Sequence, residues 1–304
     1  DTLVIERAAF GGQAASTVRL DNVPGFPESI TGSELADRFR QQAERFGVEL
    51  LQTQEVKELC TKANYQCVVT GDGSEYSARA VLIASGSRYR TLEVEGEEDY
   101  YGSGVHYCAT CDGPFYKGQS VAVVGGGNSA AEESLFLADI VDDVTLLVRG
   151  EELKASQIIQ EKVAENPKIT VRYRTHVEGF EGAESKLSTV KVRTEGAEPE
   201  TLDVPGAFVF VGLDPNTSYL TDSNVTLDEQ GFVLTGHTLC THVRRNQLEL
   251  PPVFDHREPA MMETSQPGVF AAGDVRVGST KQVASAAGEG AAVALEVREY
   301  LKRQ

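Results

Sequence analysis

The sequence has few cysteines, few basic residues and no long apolar run. Five cysteines in 304 residues are too sparse for the disulfide scaffold of a small secreted protein. No apolar stretch approaches the roughly 20 residues that a membrane-spanning helix needs, and no cleavable signal is visible. We therefore expect a cytoplasmic protein with no membrane partner.

Positive charge is scarce, because 28 lysines and arginines stand against 46 aspartates and glutamates, giving a formal net charge of −18. Nucleic acid would repel such a chain, so we expect no nucleic-acid partner. The hydrophobic fraction of 40% is that of an ordinary globular protein, and the length allows two domains.

The most informative stretch is Cys108-Ala109-Thr110-Cys111, which Asp112 follows directly. Two cysteines three positions apart suit a dithiol that opens and closes, because a turn at a helix start brings the sulfurs together. A carboxylate beside the pair could move protons as the disulfide forms and breaks. Half of a structural zinc site would need a second ligand pair, and Cys60 and Cys67 are spaced too widely to provide it. We expect no metal site.

A nucleotide-binding loop follows the dithiol. An apolar strand at 121–124 runs into Gly125-x-Gly127-x-x-Ala130, with a helix beyond it. The first glycine permits a tight turn, the second lets the backbone approach a pyrophosphate, and the alanine allows close helix packing. The helix N-terminus offers N–H groups and a partial positive charge to the phosphates.

Charged residues near strand ends indicate which nucleotide binds where. Arg149 and Lys154 follow the strand at 144–148, and their cations suit the 2′-phosphate of NADP, so we predict NADPH over NADH. Glu6 ends an apolar strand and suits the ribose of a nucleotide without that phosphate, such as FAD. Asp274 ends another strand and suits a ribityl or pyrophosphate contact.

The chain begins at what we interpret as the second strand of a dinucleotide-binding unit, residues 1–6. The first strand, glycine loop and first helix would occupy roughly 25–30 residues before it. If the chain is this short, we expect weak or absent FAD binding, because the N–H cradle for the pyrophosphate is missing.

The order of motifs predicts an α/β fold in which one domain interrupts another. Residues 1–89 would form the first part of one domain, residues 90–213 an inserted domain, and residues 214–304 the second part of the first. A helix is predicted at 33–46 with Leu35, Phe39, Ala43 and Phe46 packed inward. Residues 235–258 are polar and are predicted to form a loop.

Together these segments resemble the low-molecular-weight thioredoxin reductases, a class II group of pyridine nucleotide-disulfide oxidoreductases, over essentially the whole chain. The Cys-Ala-Thr-Cys-Asp segment is the most specific motif. The motifs that carry the resemblance are Gly11-Gly12-Gln13, Asn22-x-Pro24-Gly25, Ala84-Ser85-Gly86, Cys108–Gly113, Gly125–Ala130, Pro215-Asn216-Thr217 and Gly268–Asp274.

The resemblance implies a homodimeric flavoenzyme with two Rossmann-like, three-layer domains, the NADPH domain inserted into the FAD domain. Its expected activity is that of an NADPH-dependent thioredoxin-disulfide reductase. Electrons would pass from NADPH through FAD to the Cys108/Cys111 pair and on to thioredoxin, with the inserted domain rotating so that the dithiol alternately faces the flavin and the protein partner.

The resemblance also implies roles for individual residues. Cys111 would lie next to the flavin, Cys108 would attack the thioredoxin disulfide, and Asp112 would be the acid–base carboxylate. The FAD site would include Glu6, Gly12, Gln13, Asn22, Val56, Ala84, Gly86, Gly273, Asp274, Lys281, Gln282 and Val283. The NADPH site would include Gly125, Gly127, Asn128, Ser129, Ala130, Glu132, Arg149 and Lys154.

Departures from the family leave alternatives open. The family usually has His-Arg-Arg where this chain has Val148-Arg149-Gly150, residues 235–258 are longer than usual, and the first flavin glycine loop is missing. One alternative is a related flavin disulfide reductase with another donor, such as NADH or ferredoxin, or another acceptor. A catalytically inactive truncated fragment is the other.

Overall fold

The fold is that of a computed structural model, which describes residues 1–17, 19–62 and 65–304. These residues divide into two compact units. Unit 1 comprises Asp1–Arg88 and Asp214–Gln304, and unit 2 comprises Tyr89–Leu213. Unit 2 is thus inserted between the two parts of unit 1.

The elements are numbered in chain order. The helices in the described ranges are α1 (Gly32–Arg45), α2 (Ala109–Asp112), α3 (Asn128–Ala138), α4 (Gln157–Glu165), α5 (Gly236–Asn246) and α6 (Val283–Lys302). The strands there are β1 (Leu3–Glu6), β2 (Glu49–Gln52), β3 (Val56–Lys62), β4 (Tyr65–Thr70), β5 (Glu75–Ala78), β6 (Val81–Ile83), β7 (Ser87–Tyr89), β8 (Val105–His106), β9 (Ser120–Val124), β10 (Asp143–Leu147), β11 (Ile169–Arg172), β12 (Thr175–Ala183), β13 (Lys186–Thr194), β14 (Glu200–Asp203), β15 (Gly206–Val209), β16 (Leu213–Pro215) and β17 (Val269–Ala271). No helix within these ranges has the length and apolar character needed to cross a bilayer.

Unit 2 is built on a five-stranded parallel sheet with the strand order β11-β10-β9-β15-β8. Successive side chains of β9 point to opposite faces. Val121 and Val123 pack in one cluster with residues of α3 and α4. Ala122 and Val124 pack in a second cluster with residues of the antiparallel sheet β12-β13-β14. Helices, parallel sheet and antiparallel sheet therefore form three layers.

This layering explains the apolar runs in the sequence. Both faces of the parallel sheet are covered, so its central strands β9, from Val121 to Val124, and β15 are buried and apolar instead of alternating with polar residues. Strand β9 ends at Val124 and α3 begins at Asn128, while β8 ends two residues before the dithiol. The loops at the carboxyl ends of these strands are where ligands bind in such sheets.

Unit 1 contains two short parallel pairs, β1-β2 and β17-β6, and an antiparallel sheet β3-β4-β5. Val269 and Ala271 of β17 pack in a cluster with Leu59 of β3. Phe270 points to the other side of β17 and packs with Val293 of α6. Helix α6 covers this side of the strand pair, as the alternation along β17 requires.

Residues 235–258, expected to form a loop, contain helix α5. Thr235 is its N-cap, and the N–H of Thr235 donates to the hydroxyl of Thr238 at 3.3 Å. Leu239 is fully buried at 0% exposure. Farther along, Arg257 donates two hydrogen bonds to the buried carboxylate of Glu263. The loop prediction was wrong because a cap and one buried leucine stabilise a helix of otherwise polar sequence.

Helix α1 lies within one residue of the predicted bounds at each end. Leu35 packs with Leu20 and Ile30 in a small cluster, as expected. Phe39 and Phe46 are 47% and 71% exposed, so their predicted inward packing is wrong. Leu35, in the first turn, is the buried residue among the four predicted to pack inward, while Ala43 is half-buried.

Candidate active site

The two sulfurs of the Cys-x-x-Cys motif are joined in unit 2. Cys108 and Cys111 form a disulfide with their Cα atoms 5.3 Å apart. Cys108 is the N-cap of the short helix α2, and its sulfur accepts from the N–H of Cys111 at 3.2 Å. Both cysteines are half-buried, so the disulfide is within reach of a small molecule or a protein thiol.

Asp112 ends helix α2, directly after the disulfide. Its N–H donates to the carbonyl of Cys108 at 3.1 Å, which holds the carboxylate in the same turn as the sulfurs. The Nδ1 atom of His106 lies 3.3 Å from Asp112 Oδ2, and His106 Nε2 lies 2.6 Å from the hydroxyl of Tyr116. Sequence reasoning missed His106 and Tyr116, because neither belongs to a motif.

The glycine loop of unit 2 has the predicted strand–turn–helix form. Gly125 adopts a φ of +147°, a backbone conformation that residues other than glycine rarely adopt. A Cβ there would lie 2.4 Å from the carbonyl oxygen of Phe210 and 2.8 Å from the Cβ of Ala130. The turn therefore needs glycine at this position and a small residue at the facing helix position.

The second glycine of the motif, Gly127, has open space beside it. Gly127 is the N-cap of α3 with a φ of −94°, and a Cβ there would have nothing within 4 Å. No side chain caps α3, and its first turn carries no acidic residue. Unpartnered N–H groups facing open space suit a phosphate group, since the helix dipole adds partial positive charge there. The residues present therefore fit the pyrophosphate of a nicotinamide nucleotide.

Polar contacts hold the segment after β10 beside this helix terminus. The N–H of Lys154 donates to the carbonyl of Gly126 at 2.7 Å. The side-chain oxygen of Asn128 accepts from the N–H of Ser156 at 2.8 Å. The side chains of Arg149 and Lys154 are exposed, as a contact with a ligand phosphate requires.

The predicted flavin residues lie in unit 1, where Asp274 follows β17. Its carboxylate is half-buried, and that burial raises the pKa of Asp274 above its usual value. No described residue donates a hydrogen bond to the carboxylate oxygens of Asp274. A half-buried acceptor without donors suits a polyhydroxyl ligand, so this residue fits a ribityl chain. Gly273, just before it, donates its N–H to Glu289 of α6 at 2.7 Å.

Two further predicted flavin residues meet across unit 1. Asn22 donates its side-chain amide to Gln282 at 2.8 Å, so the loop before α1 is joined to the N-cap of α6. Lys281 turns back instead, because its ammonium group donates to the carbonyls of Asp274 and Arg276. Burial lowers the pKa of Lys281 below its usual value.

The other predicted flavin residues are placed as follows. The carboxylate of Glu6 accepts from the N–H of Ala8 at 2.9 Å. Gly12 and Gln13 are exposed in a short 3-10 turn, and Val56 pairs with Thr70 in the antiparallel sheet. Ala84 and Gly86 follow β6, and Val283 begins α6.

The loop after β6 is held by a pair of mutual hydrogen bonds. Asn216 donates its side-chain amide to the carbonyl of Ser85 at 2.8 Å, and the Ser85 hydroxyl donates to the carbonyl of Asn216 at 2.7 Å. The Ala84-Ser85-Gly86 and Pro215-Asn216-Thr217 motifs are therefore parts of one structure.

Comparison with known proteins now decides the family. The profile of the pyridine nucleotide-disulphide oxidoreductase family matches residues 1–245. The chain belongs to this family. A thioredoxin reductase of Listeria innocua is 36% identical over 303 residues, which cover 99% of this chain and 86% of that protein.

Solved structures of thioredoxin reductases are also similar to this oxidoreductase. The thioredoxin reductase of Streptococcus pyogenes is similar with a TM-score of 0.85 and 34% identity, covering 99% of this chain and 90% of that one. The thioredoxin reductase of Giardia duodenalis has a TM-score of 0.85 and 30% identity, covering 99% and 91%. The resemblance and the α/β fold with two Rossmann-like domains, both predicted from the sequence, are confirmed. The chain is an enzyme of the pyridine nucleotide-disulphide oxidoreductase family.

Proposed function

We propose that this protein is a thioredoxin-disulfide reductase that uses NADPH and FAD. The observation that carries the proposal is a disulfide beside a carboxylate, in the same unit as a glycine loop and a helix terminus that fit a pyrophosphate. The relatives named above, all thioredoxin reductases, support the identity of the protein substrate.

Six of the expected residues have specific roles in this proposal. FAD, when bound, supplies the two-electron relay between nicotinamide and disulfide. Cys111 takes the electrons on the flavin side, and Cys108 attacks the disulfide of thioredoxin. Asp112 holds or releases the proton that accompanies each change. Arg149 and Lys154 bind the 2′-phosphate, and Asp274 accepts hydrogen bonds from the ribityl chain.

The remaining expectations concern where the enzyme works and how it assembles. We propose a homodimer in the cytoplasm, the compartment in which dithiols of this kind cycle instead of staying oxidised. Size-exclusion chromatography with light scattering measures whether the protein is a dimer. A mass corresponding to a single 32.8 kDa chain would contradict the dimer.

The experiment replaces either cysteine of the pair by serine in protein supplied with FAD, NADPH and oxidised thioredoxin. We expect the rate of thioredoxin reduction to fall by about 10²-fold or more in C108S and in C111S. Neither variant can form the Cys108–Cys111 disulfide that passes electrons from the flavin to thioredoxin. Reduction of the flavin by NADPH should continue in both.

The matched control is C240S, a half-buried cysteine outside the pair. The turnover of C240S should stay within about twofold of that of the unchanged protein, because Cys240 is not among the residues expected to bind a cofactor or to react. Turnover that survived both C108S and C111S would remove the dithiol from the reaction. Activity with ferredoxin or NADH in place of NADPH would instead reassign the donor.

A further inference from the structure

A buried histidine lies beside the disulfide and is not explained by the motifs. His106 ends β8 and is 5% exposed. Its ring packs against Phe208 of the neighbouring strand β15, with ring centroids 5.2 Å apart, and against Tyr116 at 5.3 Å. A polar ring in such surroundings needs partners for its nitrogens, since burying an unpaired polar group is costly.

Both nitrogens of this ring have titratable partners. Nε2 lies 2.6 Å from the hydroxyl of Tyr116, and Nδ1 lies 3.3 Å from Oδ2 of Asp112. Burial, and then the negative charge of Asp112, raise the pKa of Tyr116 to about 12. The phenol therefore keeps its proton and donates to Nε2. In the neutral ring the proton is then on Nδ1, facing Asp112.

The groups that surround the imidazole come from three elements. Helix α2 presents Asp112, the following turn presents Tyr116, and β15 presents the apolar ring of Phe208. Tyr116 is itself fixed, because a Cβ at Gly206 would lie 2.5 Å from its ring. The three polar side chains thus form a fixed series from Tyr116 through His106 to Asp112, and Asp112 adjoins Cys111.

We propose that His106 is a positioning residue for the dithiol, sharing a proton with Asp112 and holding its carboxylate toward the sulfurs. The inference rests on the proposed function, since a proton partner matters only where the disulfide opens and closes. Opening the disulfide with the two electrons that reduced flavin supplies in the proposed function gives one thiolate and one thiol, and consumes one proton. Asp112 in its protonated form supplies that proton, the carboxylate left behind accepts from Nδ1–H of His106, and the proton returns to Asp112 when the disulfide closes.

A purely structural role for His106 makes a different prediction. A histidine that only fills space and satisfies Tyr116 would affect the melting temperature but not the acid–base behaviour of the thiols. A proton-sharing histidine affects both. Without it, the Asp112 carboxylate faces the reduced pair with its full negative charge and opposes formation of a thiolate.

The test measures how fast the reduced protein is alkylated by iodoacetamide between pH 5 and 9. Mass spectrometry of the peptide containing Cys108 and Cys111 separates these thiols from Cys60, Cys67 and Cys240. We expect H106N to lower the alkylation rate at pH 7 about tenfold and to raise the midpoint of the pH profile by about one unit. Y116F, which loses only the hydroxyl, should shift the midpoint in the same direction by a smaller amount.

The control is H176N, at an exposed histidine of β12 in the same unit, and its pH profile should match that of the unchanged protein. An unchanged midpoint in folded H106N would overturn the proposal. If H106N does not fold, an unchanged midpoint in Y116F would overturn it as well. The readout needs no FAD, NADPH or thioredoxin, so a protein that failed to reduce thioredoxin could still show the His106 effect.

Discussion

Replacing Gly127 by alanine separates cofactor binding from folding. A methyl group at this position meets no atom within 4 Å and requires no unusual backbone angle. Its only effect is to occupy the open space in front of the α3 N-terminus, where a phosphate would approach the N–H groups. We therefore expect the melting temperature of G127A to stay close to that of the unchanged protein.

The loss in NADPH binding follows from the contacts that the methyl group blocks. A hydrogen bond to a charged group is worth about 1.5–3 kcal/mol. Losing one such contact corresponds to a dissociation constant roughly 10- to 150-fold higher. Titration of NADPH fluorescence against the protein measures this constant directly, without turnover.

Two further alanine variants provide the comparison. In G125A the new Cβ would lie 2.4 Å from the Phe210 carbonyl oxygen, so this variant should lose stability as well as binding. In G150A the new Cβ would meet only ordinary contacts, at 3.6 Å, so it should change neither. NADPH affinity within twofold of normal in a stable G127A would refute the placement of the pyrophosphate.

Two other predictions concern charge. R149Q should raise the dissociation constant for NADPH about tenfold and leave that for NADH unchanged, since one charge-assisted contact to the 2′-phosphate is lost. Equal catalytic efficiency with the two nucleotides in the unchanged protein would contradict the placement of the 2′-phosphate at Arg149. D274N should stabilise the flavin-free protein by roughly 0.5 kcal/mol at pH 7, a figure that allows for solvent screening. Because burial raises the pKa of Asp274, the folded state binds its proton more tightly than the unfolded state, so the cost of ionising it is present at neutral pH and disappears as the pH falls. Urea unfolding at pH 7 and pH 5 measures the gain, and a gain that grew on acidification would contradict this reasoning.

The elements that the sequence predicted well are those whose signals are local. The strand, turn and helix around Gly125 and Gly127 lie within one short stretch, and each glycine acts on its immediate neighbours. The Cys108–Cys111 disulfide is equally local, because one turn of helix α2 sets the separation of the sulfurs. Family resemblance then extended these motifs to a fold and a function.

The features that sequence analysis predicted wrongly depend on contacts with distant parts of the chain or on only a few residues. Helix α5 is stabilised by its Thr235 cap and by burial of Leu239, which the composition of residues 235–258 does not reveal. Phe39 and Phe46 follow the expected periodicity of α1, but periodicity does not tell how much of a face the core will cover.

The sequence by itself determined that this chain carries a dithiol next to a nucleotide loop, since both are encoded in residues a few positions apart. Only the tertiary structure decided what surrounds the dithiol. Strand β8 pairs with β15 and places the imidazole of His106 against Phe208, about a hundred residues away in sequence, and the ring buried there contacts Asp112 and Tyr116. Strand pairing over such a distance is set by the packing of the whole unit and leaves no trace in a local pattern.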